Sequence, residues 1–208
     1  MAHAHLTDPT SVTARRILLI GVTGSGKTSL ARALEASHGI RAIDVDSMAW
    51  QPGWVKTPDE ELAASAAAVA ATDAWVMDSA WTAIRSVVLP RTELVVALDL
   101  PRRVSLGRLL TRTTRRLITR ERICGDNVES LRSVLSRDSI IGWHVRSFAD
   151  KRSQIAEWEA DPALPPVLRL RSPREVQQWP HARSARMDPR PSASPAAATL
   201  LRRPPPAT

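Results

Sequence analysis

The sequence predicts an α/β protein, a three-layer sandwich in which helices cover both faces of a central five-stranded parallel sheet. Short apolar runs alternate along the chain with helical or mixed segments, and this alternation implies parallel strands joined by right-handed crossovers. A glycine-rich loop separates the first apolar run from a helix-like segment. With 208 residues and 43% hydrophobic content, the chain can bury one good-sized core. We therefore expect a single domain.

Five apolar runs are the predicted strands. The first, Ile17 to Ile20, is fully apolar and is typical of a parallel strand buried on both faces. The others span residues 42–46, 74–78, 94–99 and 166–171. Helix-start signals lie between the runs: Thr57 as a cap, with Pro58 at the first helical position, opens a run that ends near Ala71. Two further helix-start signals of this kind are Asp126 with Glu129 and the segment 172–175.

The loop after the first strand, GVTGSGKTSL, fits the pattern G-x-x-x-x-G-K-[ST] of a P-loop. Its glycines allow consecutive backbone N–H groups to point at phosphate oxygens, and the helix that follows adds its positive N-terminal end. Lys27 is expected to reach the β- and γ-phosphates of ATP, and the Thr28 hydroxyl to ligate Mg²⁺. The predicted cofactor-binding residues are Gly21, Val22, Thr23, Gly24, Ser25, Gly26, Lys27, Thr28 and Ser29.

Three of the predicted strands end in aspartate, at the sheet edge where ligands collect in open α/β folds. Asp78 closes the run WVMD, the pattern of a Walker B acid that holds Mg²⁺ through water. Asp44 and Asp46 are spaced i, i+2 and would point to one side of a strand, where either holds the metal or an acceptor hydroxyl or simply forms a turn. Asp99 is expected to cap a helix.

Eight arginines and one acid lie between Pro101 and Gly125. Arg108, Arg112 and Arg116 follow i, i+4, i+8 spacing, which on a helix forms one row of guanidinium groups. Such a row is repulsive unless an anion lies nearby, and the transition state of phosphoryl transfer supplies one. The alternative is a solvated basic helix.

The net charge of +8 is weak support for nucleic-acid binding. Residues 181–208 form a Pro/Ala/Arg-rich tail that we expect to be disordered, and five arginines against one aspartate from Arg183 onward place +4 of the charge there. Residues 1–14 are expected to be a disordered leader, leaving 15–180 as the folded domain. No apolar run approaches the ~18 residues of a membrane span, so a cytoplasmic location is expected. Cys124 is expected to be a bystander.

From about Arg16 to Gln178 the chain resembles the adenylate-kinase-like P-loop proteins known as DNA topology modulation proteins, which are relatives in fold of nucleotide and shikimate kinases. Four motifs carry the resemblance: GVTGSGKT, VDSMAWQPGW, WVMD and LDLPRRVSLGRLLTRTTRR. It implies a P-loop NTPase fold of the nucleotide-kinase type, with the P-loop strand in the middle of the sheet and an arginine lid over residues 115–127. It also implies that Asp46, Trp50 and Trp54 line an acceptor pocket and that Arg108 and Arg112 are catalytic, although tryptophans more often pack in a core or lid than contact a ligand. Together with Lys27 and Asp78, these two arginines are the predicted catalytic residues.

The chain departs from the family after the third strand, where DSAW (residues 78–81) replaces DGNY. This change affects the acceptor side, and three functions stay open. The first is an ATP-dependent kinase of a small acceptor. The second is a nucleic-acid-associated ATPase or regulator, and the third is a nucleotide-binding protein without turnover.

Overall fold

The computed structural model describes residues 3–4, 11, 13–124, 127–128 and 139–187. Its strands are β1 His3–Ala4, β2 Arg16–Gly21, β3 Arg41–Ile43, β4 Trp50–Gln51, β5 Val55–Lys56, β6 Trp75–Met77, β7 Leu94–Leu98, β8 Arg122–Ile123, β9 Asn127–Val128 and β10 Val167–Leu170. Its helices are α1 Lys27–His38, α2 Val45–Ala49, α3 Asp59–Ala70, α4 Arg85–Val88, α5 Arg102–Thr119, α6 Ile140–Ala160 and α7 Pro173–Met187. Short 3₁₀ turns, Thr82–Ile84 and Leu89–Arg91, flank α4.

The main sheet has the order β1-β10-β7-β2-β6-β3, and all of its pairings are parallel. The five strands predicted from the apolar runs form its body, with the P-loop strand β2 at the centre. Residues of β2 alternate between two cores: Ile17 and Leu19 pack on one face of the sheet, and Leu18 and Ile20 on the other. The predicted three-layer fold with a central five-stranded parallel sheet is confirmed, and β1 adds two residues at one edge.

The domain ends differ from the predicted limits of 15 and 180. Inside the expected leader, His3 pairs with Val167 of β10. At the other end, α7 continues past Pro180 to Met187. Arg183 is fully buried, and its guanidinium donates to the carbonyls of Ser11 and Ala14, each at 2.7 Å. An arginine in this polar stretch resembles a solvated tail in sequence, but here two backbone carbonyls accept from its terminal nitrogens. Residues 188–208 lie outside the described residues.

Among the predicted helix caps that the structure describes, the one at Ser172 is confirmed, whereas Thr57 and Asp99 make other contacts. Helix α3 begins at Asp59 without a side-chain cap, because the Thr57 hydroxyl donates instead to the Met48 carbonyl at 2.9 Å. Ser172 does cap α7, since its oxygen accepts from the Glu175 N–H at 3.2 Å. Asp126 and Glu129 lie outside the described residues.

Asp99 is the other predicted cap that the structure reassigns. Helix α5 starts without a side-chain cap. The buried Asp99 carboxylate instead pairs with Arg169 at 2.7 Å and with Arg152 at 3.0 Å. It therefore ties the end of β7 to β10 and to α6.

Candidate phosphate-binding cleft

The P-loop joins the end of β2 to the start of α1, and all three of its glycines have positive φ angles. Gly24 has φ 77° and Gly26 has φ 100°, a region that side chains disfavour. A Cβ on Gly24 would lie 2.3 Å from the Ser105 carbonyl oxygen of α5. Glycine is required at position 24 because the arginine-bearing helix packs directly on the loop.

Side-chain donors hold several carbonyls of the P-loop. Lys27 Nζ donates to the Gly21 oxygen at 2.9 Å and to the Val22 oxygen at 3.0 Å. Arg108 Nη1 donates to the Ser25 oxygen at 3.1 Å. In a trans peptide the N–H points opposite to the C=O, so each held carbonyl fixes the direction of the next residue's N–H. The arrangement suits a loop that presents its N–H groups to an anion.

Lys27, Thr28 and Asp78 form the charged centre of the site. Burial lowers the pKa of Lys27 to about 8, although the carboxylates of Asp46 and Asp78 oppose the shift. Thr28 Oγ1 donates to Asp78 Oδ2 at 2.5 Å, and the Val45 N–H donates to Asp78 Oδ1 at 3.1 Å. Burial raises the pKa of Asp78, while the bond from Thr28 favours its ionised form. The P-loop hydroxyl and the predicted Walker B acid are thus in direct contact.

The P-loop opens into a continuous cleft of about 2090 Å³. The structure brings nearly all of the predicted site residues to this cleft, and Ser25 is the exception because it is fully buried. Those that line it are Gly21, Val22, Thr23, Gly24, Gly26, Lys27, Thr28, Ser29, Asp46, Trp50, Trp54, Asp78, Arg108 and Arg112.

Asp44 and Asp46 do not lie on a strand, contrary to the prediction from their spacing. Strand β3 ends at Ile43, and Asp44 caps α2 by accepting from the Ser47 N–H at 3.1 Å. Asp46 lies in the first turn of α2, where its Oδ1 accepts from the indole N–H of Trp81 at 2.9 Å. The local D-x-x-S pattern is a helix cap, and it overrides the apolar alternation around it.

Trp81, which the sequence showed only as part of the departure DSAW, builds one wall of the cleft. Its ring lies 6.2 Å from that of Trp50, and Trp50 lies 5.9 Å from Trp54, both edge to face. We call Trp50, Trp54 and Trp81 the indole wall. Together with Asp46, it lines the same cleft as Arg108. The substituted residue therefore takes part in the candidate acceptor pocket.

The arginine row lies on α5, as its spacing predicted. Arg108, Arg112 and Arg116 all line the cleft, whereas Arg102 and Arg103 do not. Arg102 instead places its guanidinium 5.7 Å from the Phe148 ring. The row therefore lines the same cleft as the P-loop. Arg108 is exposed there, and its catalytic role stays a prediction.

The predicted lid, residues 115–127, includes the antiparallel hairpin β8–β9, and residues 125–126 lie outside the described part. Asn127 joins this hairpin to the hairpin β4–β5. Its Oδ1 accepts from the Trp54 N–H, and its Nδ2 donates to the Gln51 carbonyl, both at 2.9 Å. Cys124, which the sequence gave no role, also lines the cleft, and burial raises its pKa to about 12.

Within the described ranges, no three His, Cys, Asp or Glu side chains cluster as a ready metal site. The described helices include none that is both long and apolar enough to cross a bilayer.

The sheet order, the P-loop on the central strand and Asp78 on the neighbouring strand define a P-loop protein with a nucleotide-kinase-like fold. No family model matches the chain, and neither does any curated protein. The resemblance to DNA topology modulation proteins is therefore not confirmed.

Solved structures with a similar fold include kinases of small molecules. Shikimate kinase from Bacteroides thetaiotaomicron is 14% identical, with a TM-score of 0.49 over 84% of this chain and 98% of its own. Shikimate kinase from Acinetobacter baumannii, in complex with shikimate, is 17% identical, with a TM-score of 0.49 over 82% and 93%. A gluconokinase from Sinorhizobium meliloti 1021 is 17% identical, with a TM-score of 0.47 over 83% and 93%. Similarity this distant leaves the function to be argued from the site.

Proposed function

We propose that this protein is an ATP-dependent phosphotransferase that moves the γ-phosphoryl group of ATP to a hydroxyl of a small acceptor. The observation that carries the proposal is that one cleft holds the P-loop, the arginine row and the pocket of Asp46 and the indole wall. A protein that only bound nucleotide would need no carboxylate and indole wall in the cleft beyond its phosphate-binding residues.

The P-loop residues are proposed to hold the phosphates of ATP, with Lys27 leaving its two carbonyls to contact the β- and γ-phosphates. Thr28 and Asp78 offer a hydroxyl and a carboxylate in contact with one another, which are the hard oxygen ligands that Mg²⁺ prefers. When bound there, Mg²⁺ would neutralise charge on the phosphates. The affiliation with DNA topology modulation proteins and the cytoplasmic location stay predictions.

The transfer itself is proposed to use Asp46, Arg108 and Arg112. Asp46 Oδ1 is occupied by Trp81, so Oδ2 would accept the proton of the acceptor hydroxyl and orient its oxygen. That oxygen bonds to the γ-phosphorus while the bond from this phosphorus to the bridging oxygen breaks, and ADP leaves. Arg108 and Arg112 would stabilise the charge that spreads over the equatorial oxygens.

An acceptor screen tests the proposal. The protein is incubated with ATP, Mg²⁺ and a panel of sugars, sugar acids and nucleosides, and mass spectrometry searches for products heavier by one phosphoryl group. Lys27→Ala serves as the inactive control, because it should stay folded while losing tight ATP binding. The proposal requires a product with the wild type alone.

Two other outcomes would select the alternatives. Tight ATP binding without any product or ATP consumption would favour nucleotide binding without turnover. ATP consumption stimulated by DNA, with a DNA affinity that falls steeply with salt, would favour the nucleic-acid-associated ATPase. Unchanged ATP affinity in Lys27→Ala would contradict all three functions, because each of them requires ATP to bind at the P-loop.

A further inference from the structure

His144 on α6 is a buried polar residue that the proposed phosphotransfer does not use. Its side chain is fully buried, and its Nδ1 lies 3.0 Å from the Thr23 carbonyl oxygen in the P-loop. Because a carbonyl can only accept, Nδ1 carries the proton of this hydrogen bond. The other ring nitrogen, Nε2, is buried and has no hydrogen-bond partner among the described residues. Among the described residues, the imidazole therefore makes its hydrogen bond to the P-loop and to no other segment.

The Thr23 carbonyl controls the direction of a neighbouring donor. It belongs to the same peptide unit as the Gly24 N–H, and all described peptides are trans. In a trans peptide the C=O and N–H groups point in opposite directions, so a hydrogen bond that holds the Thr23 carbonyl also fixes the direction of the Gly24 N–H. Gly24, with φ 77° and no Cβ, offers little resistance to rotation of this peptide unit, so an outside contact is needed to hold it.

We propose that His144 is a positioning residue of the P-loop, which holds the Thr23 carbonyl so that the Gly24 N–H faces the phosphate chain. The proposal rests on the proposed role of this loop in binding ATP. It adds a residue from α6, 121 positions away in sequence, to the phosphate site.

The other two carbonyl-holding side chains are not equivalent to His144. Lys27 and Arg108 line the cleft and are both proposed to contact phosphates, so they would leave the carbonyls of Gly21, Val22 and Ser25 when ATP binds. His144 is fully buried and cannot reach the ligand. Its bond to Thr23 is therefore the one of this group that would persist through the reaction.

Neighbouring residues hold His144 in place. The Phe148 ring lies 5.8 Å away on the same helix, and Arg102 of α5 stacks on the outer side of Phe148. Farther along α6, Arg152 pairs with Asp99 at the end of β7. The helix is thus attached to the arginine helix and to the sheet, which fixes the imidazole relative to β2 and the loop.

Packing alone does not account for a histidine here. An apolar side chain would fill the space without burying an unpaired Nε2, and burial of an unpaired polar atom is unfavourable. Burial also lowers the pKa of His144, so the ring is neutral at pH 7 and supplies one N–H donor. We therefore expect the cost to stability to be offset by a benefit to phosphate binding.

The test compares three substitutions that differ in where they place a donor. In His144→Asn the amide nitrogen takes the position of Nδ1, in His144→Gln it takes that of Nε2, and His144→Leu has no donor. Calorimetric titration measures the Kd of ATP with Mg²⁺ and of tripolyphosphate, which carries phosphates without a base. Ile155→Val is the matched control, because it shortens a buried side chain farther along the same helix and removes no donor.

The proposal expects Leu and Gln to weaken both ligands about tenfold, the equivalent of one hydrogen bond, and Asn to stay within about threefold of the wild type. The melting temperatures of the three variants should not rank in the same order as their affinities for the two ligands. Equal affinities for Asn and Leu, or a loss in Ile155→Val as large as in His144→Leu, would overturn it.

The wild type and Lys27→Ala separate this inference from the proposed function. If the wild type binds ATP, Lys27→Ala does not, and all His144 variants match the wild type, then only the role of His144 is wrong. If the wild type binds neither ATP nor tripolyphosphate, the proposed function fails and the role of His144 fails with it.

Discussion

The buried ammonium of Lys27 gives a prediction that can be measured without knowing the acceptor. Burial lowers its pKa from 10.5 to about 8. The folded protein therefore releases this proton near pH 8, whereas the unfolded chain keeps it until about pH 10.5. Between these values the unfolded state binds more protons, so the free energy of unfolding should rise with pH. Lys27→Met removes the charge, keeps most of the apolar stem and should lack this rise.

The magnitude follows from the two pKa values. One pKa unit corresponds to ~1.36 kcal/mol, so a shift to about 8 gives a rise of roughly 2 to 3 kcal/mol between pH 7 and pH 10. Urea unfolding of the wild type and of Lys27→Met over this range measures it. Groups other than Lys27 contribute nearly equally to both proteins, so the difference between the two curves isolates the lysine. Curves that run parallel from pH 7 to pH 10 would refute the reasoning.

The same titration should appear in ATP binding. A protonated lysine is the form that pairs with phosphates, so the wild-type affinity for ATP should fall above pH 8, at up to tenfold per pH unit. An affinity that stays constant to pH 10 would show that Lys27 does not reach the phosphates as a cation.

Three further substitutions test other parts of the molecule. Asp78→Asn should weaken Mg²⁺-dependent ATP binding in titration calorimetry, whereas Asp46→Asn should leave it intact and lower turnover; equal losses of ATP binding would contradict the assigned roles. Arg112→Lys should lower kcat more than ATP affinity, because lysine lacks the planar fork, while Arg103→Lys outside the cleft should match the wild type. Arg183→Met should cost roughly 3 kcal/mol in urea unfolding by removing the two guanidinium bonds to the Ser11 and Ala14 carbonyls, and a loss below about 0.5 kcal/mol would contradict that account.

The parts of the fold set by backbone geometry could be predicted from the sequence. Strands buried on both faces leave mainly apolar runs, so all five strands of the sheet's body were found, and the glycine spacing located the loop before α1. Asp46 was assigned to a strand because Ala42 to Asp46 alternates like one. The cap formed by Asp44 and Ser47 ends the strand early, and their spacing was the signal that could have shown it.

Contacts between distant segments could not be predicted. Trp81 and Asp46 are 35 residues apart, and His144 and Thr23 are 121 apart, so no local pattern links them. Arg183 gave only a weak signal, its spacing of four from Trp179, whose ring lies 5.2 Å from the guanidinium. For each of these residues, the partner becomes evident only when the sheet and helices are assembled.

The bonds of Arg183 set a limit on how far the protein can be shortened. The motifs would suggest cutting the chain to residues 15–180, which keeps the whole cleft. That cut removes the guanidinium together with Ser11 and Ala14, and it uncovers Trp179, which is fully buried in the intact chain. A shortened protein that retains residues 3–187 keeps the two ends fastened to each other, and crystallisation or NMR samples are best designed to those limits.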